Sequence, residues 1–279
     1  MKLAVLADIH ANLAALHAAL ASIDAWQPDA VVVAGDIVNR GPRPAECLEL
    51  IQQRQRAAGW LTVLGNHEEY VLHQAQPEAA RSGPQFEMFR SSYWTCQQLN
   101  GQLTALAAMP FQQSLLAPDG SEVRIAHASM RGTRDGIFPE TPDEVLRLQV
   151  GRPHAPLFVV GHTHWPLVRR VDGTLVVNVG AVGMPFDGDP RASYGQLTWQ
   201  RGGWQADIVR VAYDRQQTER DYVDTGFLAD GGALARLMLQ ELRLARSQLF
   251  QWALDYEAPV LAGELSMDES VQRHLARLA

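Results

Sequence analysis

The sequence predicts an α/β fold, and two patterns indicate it. Between residues 2 and 64, short apolar runs alternate with helix-competent segments, which is the order of a parallel sheet with right-handed crossovers. In the second half, apolar runs are separated by Asp-Gly and Gly-Gly pairs, which are typical of β-hairpins. With 279 residues, the chain is long enough for one large domain of this class or two small ones.

The first half contains three predicted strands and two predicted helices. Lys2–Ala7 is apolar without alternation, as in a strand buried on both faces, and Ala30–Ala34 repeats the pattern. Asn12–Ala25 carries leucines at helical spacing, and Ala45–Ala57 follows two prolines that are tolerated at a helix start. Trp60–Leu64 is the third predicted strand, and it stops abruptly at a glycine.

Residues 74–109 interrupt this pattern with prolines and glycines. We expect an excursion from the sheet that carries a helical piece at Phe86–Leu99 and covers one rim of the site as a lid. Its aromatic residues fit either a local core or a cover over a flat substrate group.

The second half is rich in predicted strands. A parallel half is therefore expected to meet an antiparallel half, with helices outside. The expected strands are 111–117, 123–126, 157–160, 167–171, 174–179, 194–200 and 204–212, and a short helix is expected at 141–150.

From Asp214 onward the sequence predicts helices. Ala233–Tyr256 reads as one long amphipathic helix, and Asp268–Leu278 as a short one. The apolar stripe of the long helix, which includes Glu241, fits packing on the chain's own sheet, an oligomer contact or a regulatory arm.

Composition narrows the class of protein. A net charge of −7 and a pI near 5.7 argue against a broad grip on nucleic acid. Two distant cysteines fit a reducing compartment, Asp8 and His10 interrupt the first apolar run too early for a signal peptide, and no run has the roughly 20 apolar residues of a membrane span. We therefore expect a soluble, cytoplasmic protein that binds no membrane.

Polar side chains follow five of the apolar runs, at the points where those runs end. Such ends meet at the mouth of an α/β sheet, where ligands bind, and Gly35, Gly65 and Gly161 allow close backbone approach. A single His or Asp there usually caps a strand or faces water, but five such ends favour a metal site. The candidate ligands are Asp8, His10, Asp36, Asn66, His127, His162 and His164.

The donor types indicate which ions would bind. Oxygen and imidazole donors without thiolate suit Mn²⁺, Fe or Zn²⁺. Seven donors are too many for one tetrahedral ion, and they fit two ions with one bridging carboxylate.

These motifs, in this order, resemble those of the calcineurin-like metallophosphoesterases: Asp8-x-His10, Gly35-Asp36, Gly65-Asn66-His67-Glu68, His127 and Gly161-His162-x-His164. The resemblance covers residues 2–212. It implies a four-layer α/β/β/α sandwich at 1–213, with a small helical insertion near 74–109 and a C-terminal helical extension at 214–279. It assigns Asp8, His10, Asp36 and His164 to one divalent ion and Asp36, Asn66, His127 and His162 to the other. Mn²⁺ is preferred, with Fe, Zn²⁺, Ni²⁺ or Co²⁺ as alternatives.

Two groups within the superfamily share further segments with the chain. Asp36-Ile-Val-Asn-Arg40-Gly41 is similar to a segment of serine/threonine protein phosphatases and dinucleoside polyphosphate hydrolases, with Asn39 where they have Asp. There Arg40 would bind the substrate phosphate together with Asn66, although a solvated loop arginine is the alternative. The segment Asn178–Tyr194 looks more like compact bacterial YfcE-like phosphodiesterases, which we favour.

The resemblance implies hydrolysis of a phosphodiester or phosphomonoester by a metal-bridging hydroxide, with His67 as the general acid. A small phosphoester or nucleotide is the expected substrate, and the C-terminal helices could form a homo-oligomer. A catalytically silent binding protein on the same fold and a nuclease are the alternatives of other classes. The complete ligand set argues against the first, and the acidic composition against the second.

Overall fold

The computed structural model describes residues 1–99 and 101–278. These residues form two five-stranded sheets that pack face to face, with helices on both outer surfaces. The strands are β1 (Lys2–Leu6), β2 (Ala30–Val33), β3 (Leu61–Thr62), β4 (Gln112–Leu116), β5 (Glu122–Ala126), β6 (Leu157–Val160), β7 (Leu167–Val171), β8 (Thr174–Asn178), β9 (Ala192–Gln200) and β10 (Gly203–Val211). The arrangement confirms the predicted α/β/β/α sandwich.

The first sheet has the order β10-β9-β1-β2-β3. Strands β1, β2 and β3 are parallel, as predicted, and β9 pairs antiparallel with both β1 and β10. The third strand is shorter than predicted. Beyond Thr62, the N–H of Val63 still donates to the carbonyl of Val33 in β2, whereas the N–H of Leu64 donates to the carbonyl of Pro110.

The second sheet has the order β4-β5-β6-β8-β7. Its three central strands β5, β6 and β8 are parallel, and only the edge strands β4 and β7 are antiparallel. The expectation of an antiparallel second half was therefore wrong. The predicted hairpins are present, but in this sheet they form only the edge pairs β4–β5 and β7–β8. The central strands β5, β6 and β8 are parallel and are therefore joined by crossover connections.

The apolar core between the sheets explains why β1 shows no polar alternation. Leu3 and Val5 face the second sheet, where Leu157 and Val177 pack against them. Ala4 and Leu6 point the other way, onto the helix that follows β1. Burial on both faces requires a continuous apolar run, and this strand carries Asp8 and His10 at its C-terminal end.

The helices surround this sandwich and extend it at the C-terminus. The helices of the sandwich and of the insertion are α1 (Leu13–Trp26), α2 (Pro44–Ala58), α3 (Asn66–His73), α4 (Gly83–Met88), α5 (Arg90–Gln98), α6 (Leu103–Ala107) and α7 (Asp143–Gln149). Those of the extension are α8 (Arg215–Asp224), α9 (Phe227–Asp230), α10 (Ala235–Leu244), α11 (Leu249–Trp252), a π-helical turn (Ala253–Glu257), α12 (Ala258–Leu261) and α13 (Met267–Leu275).

The insertion is more tightly packed than a free lid would be. The helical piece predicted at Phe86–Leu99 is two helices, α4 and α5, that meet at Phe89. Trp94 of α5 is buried and stacks edge-on against Phe227 of the extension, with ring centroids 4.9 Å apart. The insertion thus connects the sandwich to the extension.

The prediction of one long helix at Ala233–Tyr256 was wrong. Helix α10 ends at Leu244, and its C-cap residue, Ala245, has a left-handed conformation with φ +49°. The N–H groups of Gln248 and Leu249 donate to the buried carboxylate of Glu241 instead of to helix carbonyls. The apolar stripe continues through the turn, and for this reason periodicity alone predicted a single helix.

The extension packs on the sandwich through an apolar cluster that both share. Leu237, Met238 and Trp252 of the extension pack with Met184 and Phe186 of the sandwich.

The two cysteines, Cys47 and Cys96, are free thiols and are not bonded to each other. Among the described residues, no helix combines the length and apolarity needed to cross a membrane.

Candidate metal centre

The candidate ligands lie where five strands of the two sheets end. The loop after β1 and the loop after β2 are bonded to each other, because the N–H groups of Asp8 and His10 donate to the carbonyls of Gly35 and Asp36. All seven predicted ligands come together in one place, and all but the half-buried His162 are buried: Asp8, His10, Asp36, Asn66, His127 and His164.

The backbone at the centre is held in an uncommon conformation. Four of the ligands have positive φ angles between 54° and 69°, namely Asp8, Asp36, His162 and His164, and His10 lies at 48°. Asp, Asn and His tolerate this region better than other non-glycine residues, but each such residue still costs free energy. Strain of this kind clusters at functional sites.

The three predicted glycines are required by close approach. A Cβ on Gly65 would lie 2.1 Å from Asp36 Oδ1, one on Gly161 would lie 2.4 Å from Asp8 Oδ2, and one on Gly35 would lie 2.7 Å from His127 Nδ1. Each glycine therefore lets a neighbouring loop reach a candidate ligand, which confirms the prediction made for them.

Three donors form the first cluster: Asp8, His10 and His164. The Nε2 atoms of His10 and His164 are 3.1 Å apart, and His164 Nε2 is 3.4 Å from Asp8 Oδ1. The carbonyl of Met184 accepts a hydrogen bond from His164 Nδ1–H. That bond fixes the ring so that Nε2 faces the cluster, which is the usual support of a metal-bound histidine.

The second cluster contains Asp36, His127 and His162, with Asn66 beside them. Asn66 Oδ1 lies 2.9 Å from His127 Nε2 and 3.0 Å from His162 Nδ1. His127 Nδ1–H donates to the Ala34 carbonyl over 2.8 Å, so Nε2 again faces inward.

Asp36 joins the two clusters. Its Oδ2 is 3.7 Å from His10 Nε2 and 3.3 Å from His127 Nε2. Its Oδ1 accepts the backbone N–H of His67 over 2.9 Å, which fixes the carboxylate plane.

The residues present fit a divalent cation. Asp8 Oδ1 and His10 Nδ1 are buried and have no hydrogen-bond partner within residues 1–99 and 101–278. Carboxylates and imidazole nitrogens converge within 4.8 Å of one another in each cluster. A buried carboxylate oxygen without a donor is costly unless a cation compensates it.

Protonation states follow from burial and neighbouring charge. Burial alone would lower the pKa of His127, but the charge and hydrogen bond of Asp36 raise it to about 10. His127 is therefore an imidazolium at neutral pH, and a bound cation would displace its proton. Burial and the charge of His127 lower the pKa of His162 to about 4.

His67 lies at the start of α3, beside the first cluster. Its ring is 4.9 Å from the His10 ring, and its Nδ1 accepts a hydrogen bond from Asn39 Nδ2 over 3.0 Å. The Asn39 amide is oriented because its Oδ1 accepts the N–H of Arg40. Burial and the charges of nearby cations lower the pKa of His67 to about 3, against the charge of Asp36, so the neutral ring carries its proton on Nε2. His67 also lies within ligand distance of His10 and Asp36, and its role as a non-ligand stays a prediction.

Glu68 was not predicted to have a role, but it organises the loop that carries Asp36. It is fully buried, and its carboxylate accepts the N–H groups of Asp36, Ile37, Val38 and Gly65. Burial and the charge of Asp36 raise the pKa of Glu68 to about 7. Its position three residues after Gly65 is the sequence signal that would have found it, because a Glu at the third helical position can accept the N–H of the N-cap residue, as Glu68 does from Gly65.

Arg40 is buried, so it is not a solvated loop arginine. Its guanidinium pairs with Glu241 of α10 and lies 5.6 Å from the ring centroid of Phe186. Phe186 stacks in turn on the His164 ring, at 4.3 Å and 20°. The segment of Arg40 also touches the centre directly, because a Cβ on Gly41 would lie 2.0 Å from the carbonyl oxygen of His10.

A two-sheet sandwich with a centre of aspartate, asparagine and histidine at its strand ends defines a metallophosphoesterase. A family model of the calcineurin-like phosphoesterase superfamily domain matches residues 1–202, and the chain belongs to that superfamily, whose members are metal-dependent phosphoesterases. The resemblance found in the motifs is thereby confirmed, as is the assignment of the chain as a phosphoesterase hydrolase.

Individual relatives and solved structures are similar to the chain over most of its length. The uncharacterised protein MJ0912 of Methanocaldococcus jannaschii is 30% identical over 232 residues, which cover 76% of this chain and 88% of that protein. A metallophosphoesterase from Sphaerobacter thermophilus is 30% identical, with a TM-score of 0.69 over 88% of this chain and 100% of its own. The hypothetical protein PH1004 from Pyrococcus horikoshii has the same fold at 20% identity, with a TM-score of 0.69 over 83% and 98% of the two chains.

Proposed function

We propose that the chain is a dinuclear metal-dependent hydrolase of phosphodiesters or phosphomonoesters. The observation that carries the proposal is the position of Asp36 Oδ2 between His10 Nε2 and His127 Nε2. A carboxylate oxygen that faces both donor clusters can be shared by two neighbouring cations, which supports the dinuclear assignment.

The two ions would be held by the sets that the motifs imply. Asp8, His10, Asp36 and His164 would hold one, and Asp36, Asn66, His127 and His162 the other. Mn²⁺ suits these donors best, with Fe, Zn²⁺, Ni²⁺ or Co²⁺ as alternatives. When bound, such a pair of ions lowers the pKa of water and neutralises charge on a phosphoryl group.

The chain's own residues would then bind the substrate and move one proton. Arg40 and the amide of Asn66 would bind phosphoryl oxygens, since a guanidinium offers a planar set of donors. His67 would donate a proton from Nε2 to the departing oxygen as an imidazolium, the form that the negative charge of a bound phosphate would favour.

The substitution Asp36→Asn tests the dinuclear assignment. Loss of the shared carboxylate should lower metal content at both positions and abolish hydrolysis in protein reconstituted with Mn²⁺. The measurement combines elemental analysis with a panel of p-nitrophenyl phosphate, bis-p-nitrophenyl phosphate, diadenosine tetraphosphate, 2′,3′-cyclic AMP and a phosphopeptide. An active Asp36→Asn protein with two full equivalents of metal would refute the bridge, and the panel ranks the substrate classes.

A further inference from the structure

Arg40 is held from two directions by the C-terminal extension. Its guanidinium Nη2 donates to Glu241 Oε2, and its backbone carbonyl accepts a hydrogen bond from Tyr222 Oη over 2.9 Å. Tyr222 lies in α8 and Glu241 in α10, and both are buried. Both contacts span more than 180 residues of sequence.

The carboxylate of Glu241 divides its two oxygens between two tasks. Oε1 accepts the N–H groups of Gln248 and Leu249 and the hydroxyl of Ser247, and thereby closes the turn between α10 and α11. Oε2 is bonded to Arg40 alone among the described residues. A fully buried carboxylate needs such compensation, and the turn occupies only one of its two oxygens.

The guanidinium keeps donors for a further anion. Its Nε is buried and has no hydrogen-bond partner within residues 1–99 and 101–278. Its plane lies by the Phe186 ring, which stacks on the candidate ligand His164. An arginine held on one side by a carboxylate and free on the other is arranged to bind a phosphoryl oxygen through charge-assisted hydrogen bonds.

We propose that Glu241 is a positioning residue that holds the Arg40 guanidinium beside the metal centre, so that the C-terminal extension completes the phosphate-binding site of the sandwich. Tyr222 supports the same residue through its backbone. The proposal rests on the proposed function, since it assigns Arg40 to the substrate phosphate. It gives the extension a role in binding that the superfamily's sandwich alone does not supply.

The test compares Arg40→Ala, Glu241→Gln and the double variant, all reconstituted with Mn²⁺. Glutamine keeps an oxygen for the Gln248 and Leu249 N–H groups but offers Arg40 no charge. The matched control is Asp221→Asn, which removes another ion pair between the extension and the sandwich, Arg43–Asp221, at 2.8 Å. The measurements are the Kd of orthophosphate by calorimetry and kcat/KM for bis-p-nitrophenyl phosphate.

Arg40→Ala should weaken phosphate binding roughly 10- to 100-fold, as expected for loss of a charge-assisted hydrogen bond. Glu241→Gln should weaken it about fivefold or more, and the double variant should be no weaker than Arg40→Ala, because Glu241 acts through Arg40. Asp221→Asn should bind as the wild type does. A loss of folded protein would reduce the number of sites or kcat without changing Kd, so Kd separates positioning from stability.

Three results would overturn the proposal: an unchanged Kd in Glu241→Gln, additive losses in the double variant, or an unchanged Kd in Arg40→Ala. If Glu241→Gln does not fold, Tyr222→Phe carries the same prediction with a smaller effect, and an unchanged Kd there overturns it. A wild type that binds phosphate through Arg40 and Glu241 but hydrolyses no substrate would refute the proposed function alone.

Discussion

Asn39 sets the orientation of the His67 ring. Its amide donates to His67 Nδ1 and to Ser92 Oγ, while its oxygen accepts from Arg40 and Thr95. The chemistry available to His67 is therefore limited to its Nε2 side. The value of a proton donor there depends on how much the leaving group needs a proton.

His67→Gln should affect alkyl and aryl esters differently. An alkoxide needs the proton and p-nitrophenolate hardly does, so kcat/KM for an alkyl phosphoester should fall about 10²–10⁴-fold, the usual worth of general acid catalysis. The loss on a p-nitrophenyl ester should be much smaller. The measurement is the ratio of kcat/KM between the two substrates in wild type and variant.

Metal content is the control for this substitution, because His67 lies in a cluster that could hold an ion. An unchanged metal content with equal losses on both esters would show that His67 positions the phosphate. A loss of one equivalent of metal would make it a ligand instead.

Short-range signals explain why the residues of the centre could be predicted. His127 follows β5 directly, Asp8 and Asp36 follow β1 and β2 within three residues, and Gly35 and Gly65 are needed where those ends meet. Parallel strands bring such ends to one edge without further information. The partner of Arg40 could not be predicted in this way, since Glu241 lies 201 residues away. A carboxylate within an apolar helical stripe was the only sign of it.

At the scale of single elements, a row of aromatic rings connects the insertion to the centre. The His67 ring contacts Tyr70 of α3 at 5.2 Å, and Tyr70 contacts Phe89 at 5.4 Å. The Arg134 guanidinium lies over the Tyr70 ring, 4.9 Å from its centroid. The substrate group beyond the phosphate is therefore expected to meet this row.

Phe89→Ala should change the ranking of substrates more than the rate on p-nitrophenyl phosphate. Its ring supports Tyr70, and loss of that support should matter most for large leaving groups. The measurement is kcat/KM across the substrate panel. Tyr93→Ala is the control, because Tyr93 lies on the neighbouring helix and contacts Phe86 and Arg81. A ranking that is unchanged, or changed equally by the control, would count against the insertion as a selectivity element.

The amides of helix α13 should lose protection from hydrogen exchange as the pH falls. Burial and the charge of Arg277 lower the pKa of His274, although Asp255 and Glu241 oppose the shift, and its Nε2–H donates to Gln248 Oε1. A histidine with a depressed pKa is neutral in the folded state, so its contribution to stability is complete above its unfolded pKa of about 6.5 and is lost as the pH falls.

Hydrogen exchange of residues 249–275 at pH 7.5 and 5.5, corrected for intrinsic rates, measures this effect. His274→Gln retains a donor for Gln248 without a titrating ring, and its protection should change less between the two pH values. Equal pH dependence in wild type and variant would assign the effect to another group.

Hydrophobic periodicity predicted a helix well where burial of one face determines its extent. It predicted the end of a helix poorly where a side chain accepts backbone N–H groups in place of helix carbonyls. Helix α1 follows its leucine spacing and is capped by Asn12, whose side chain accepts the N–H of Ala15. Helix α10 ends at Leu244, and in the turn that follows Glu241 accepts the N–H groups of Gln248 and Leu249. Hydrophobic spacing contains no information about that capping.

At the scale of the whole molecule, the extension is joined to the sandwich by apolar packing as well as by Arg40. Trp94, Met184 and Phe186 are buried beneath it. The helices therefore pack within the chain, but against the insertion and the loop after β8 rather than on a sheet, as the first of the three roles would have had it. An oligomer contact stays a prediction, and Phe250 and Leu254, each 66% exposed, are where the extension would provide one.

Removal of residues 214–279 should prevent stable folding of the sandwich. Exposure of Trp94, Met184 and Phe186 would cost roughly 5–9 kcal/mol at about 1.5–3 kcal/mol for each large side chain, which is comparable to the whole stability of a typical domain, about 5–15 kcal/mol. Arg40 would also lose Glu241 and Tyr222. We expect 1–213 to be insoluble or to melt without cooperativity, and co-expression of 214–279 as a separate chain to restore soluble protein. Deletion of only 276–279, which follow α13, is the matched control and should leave the melting temperature nearly unchanged. A soluble 1–213 protein with a cooperative transition near that of the full chain would show that the sandwich is an independent domain and that the extension only lies beside it.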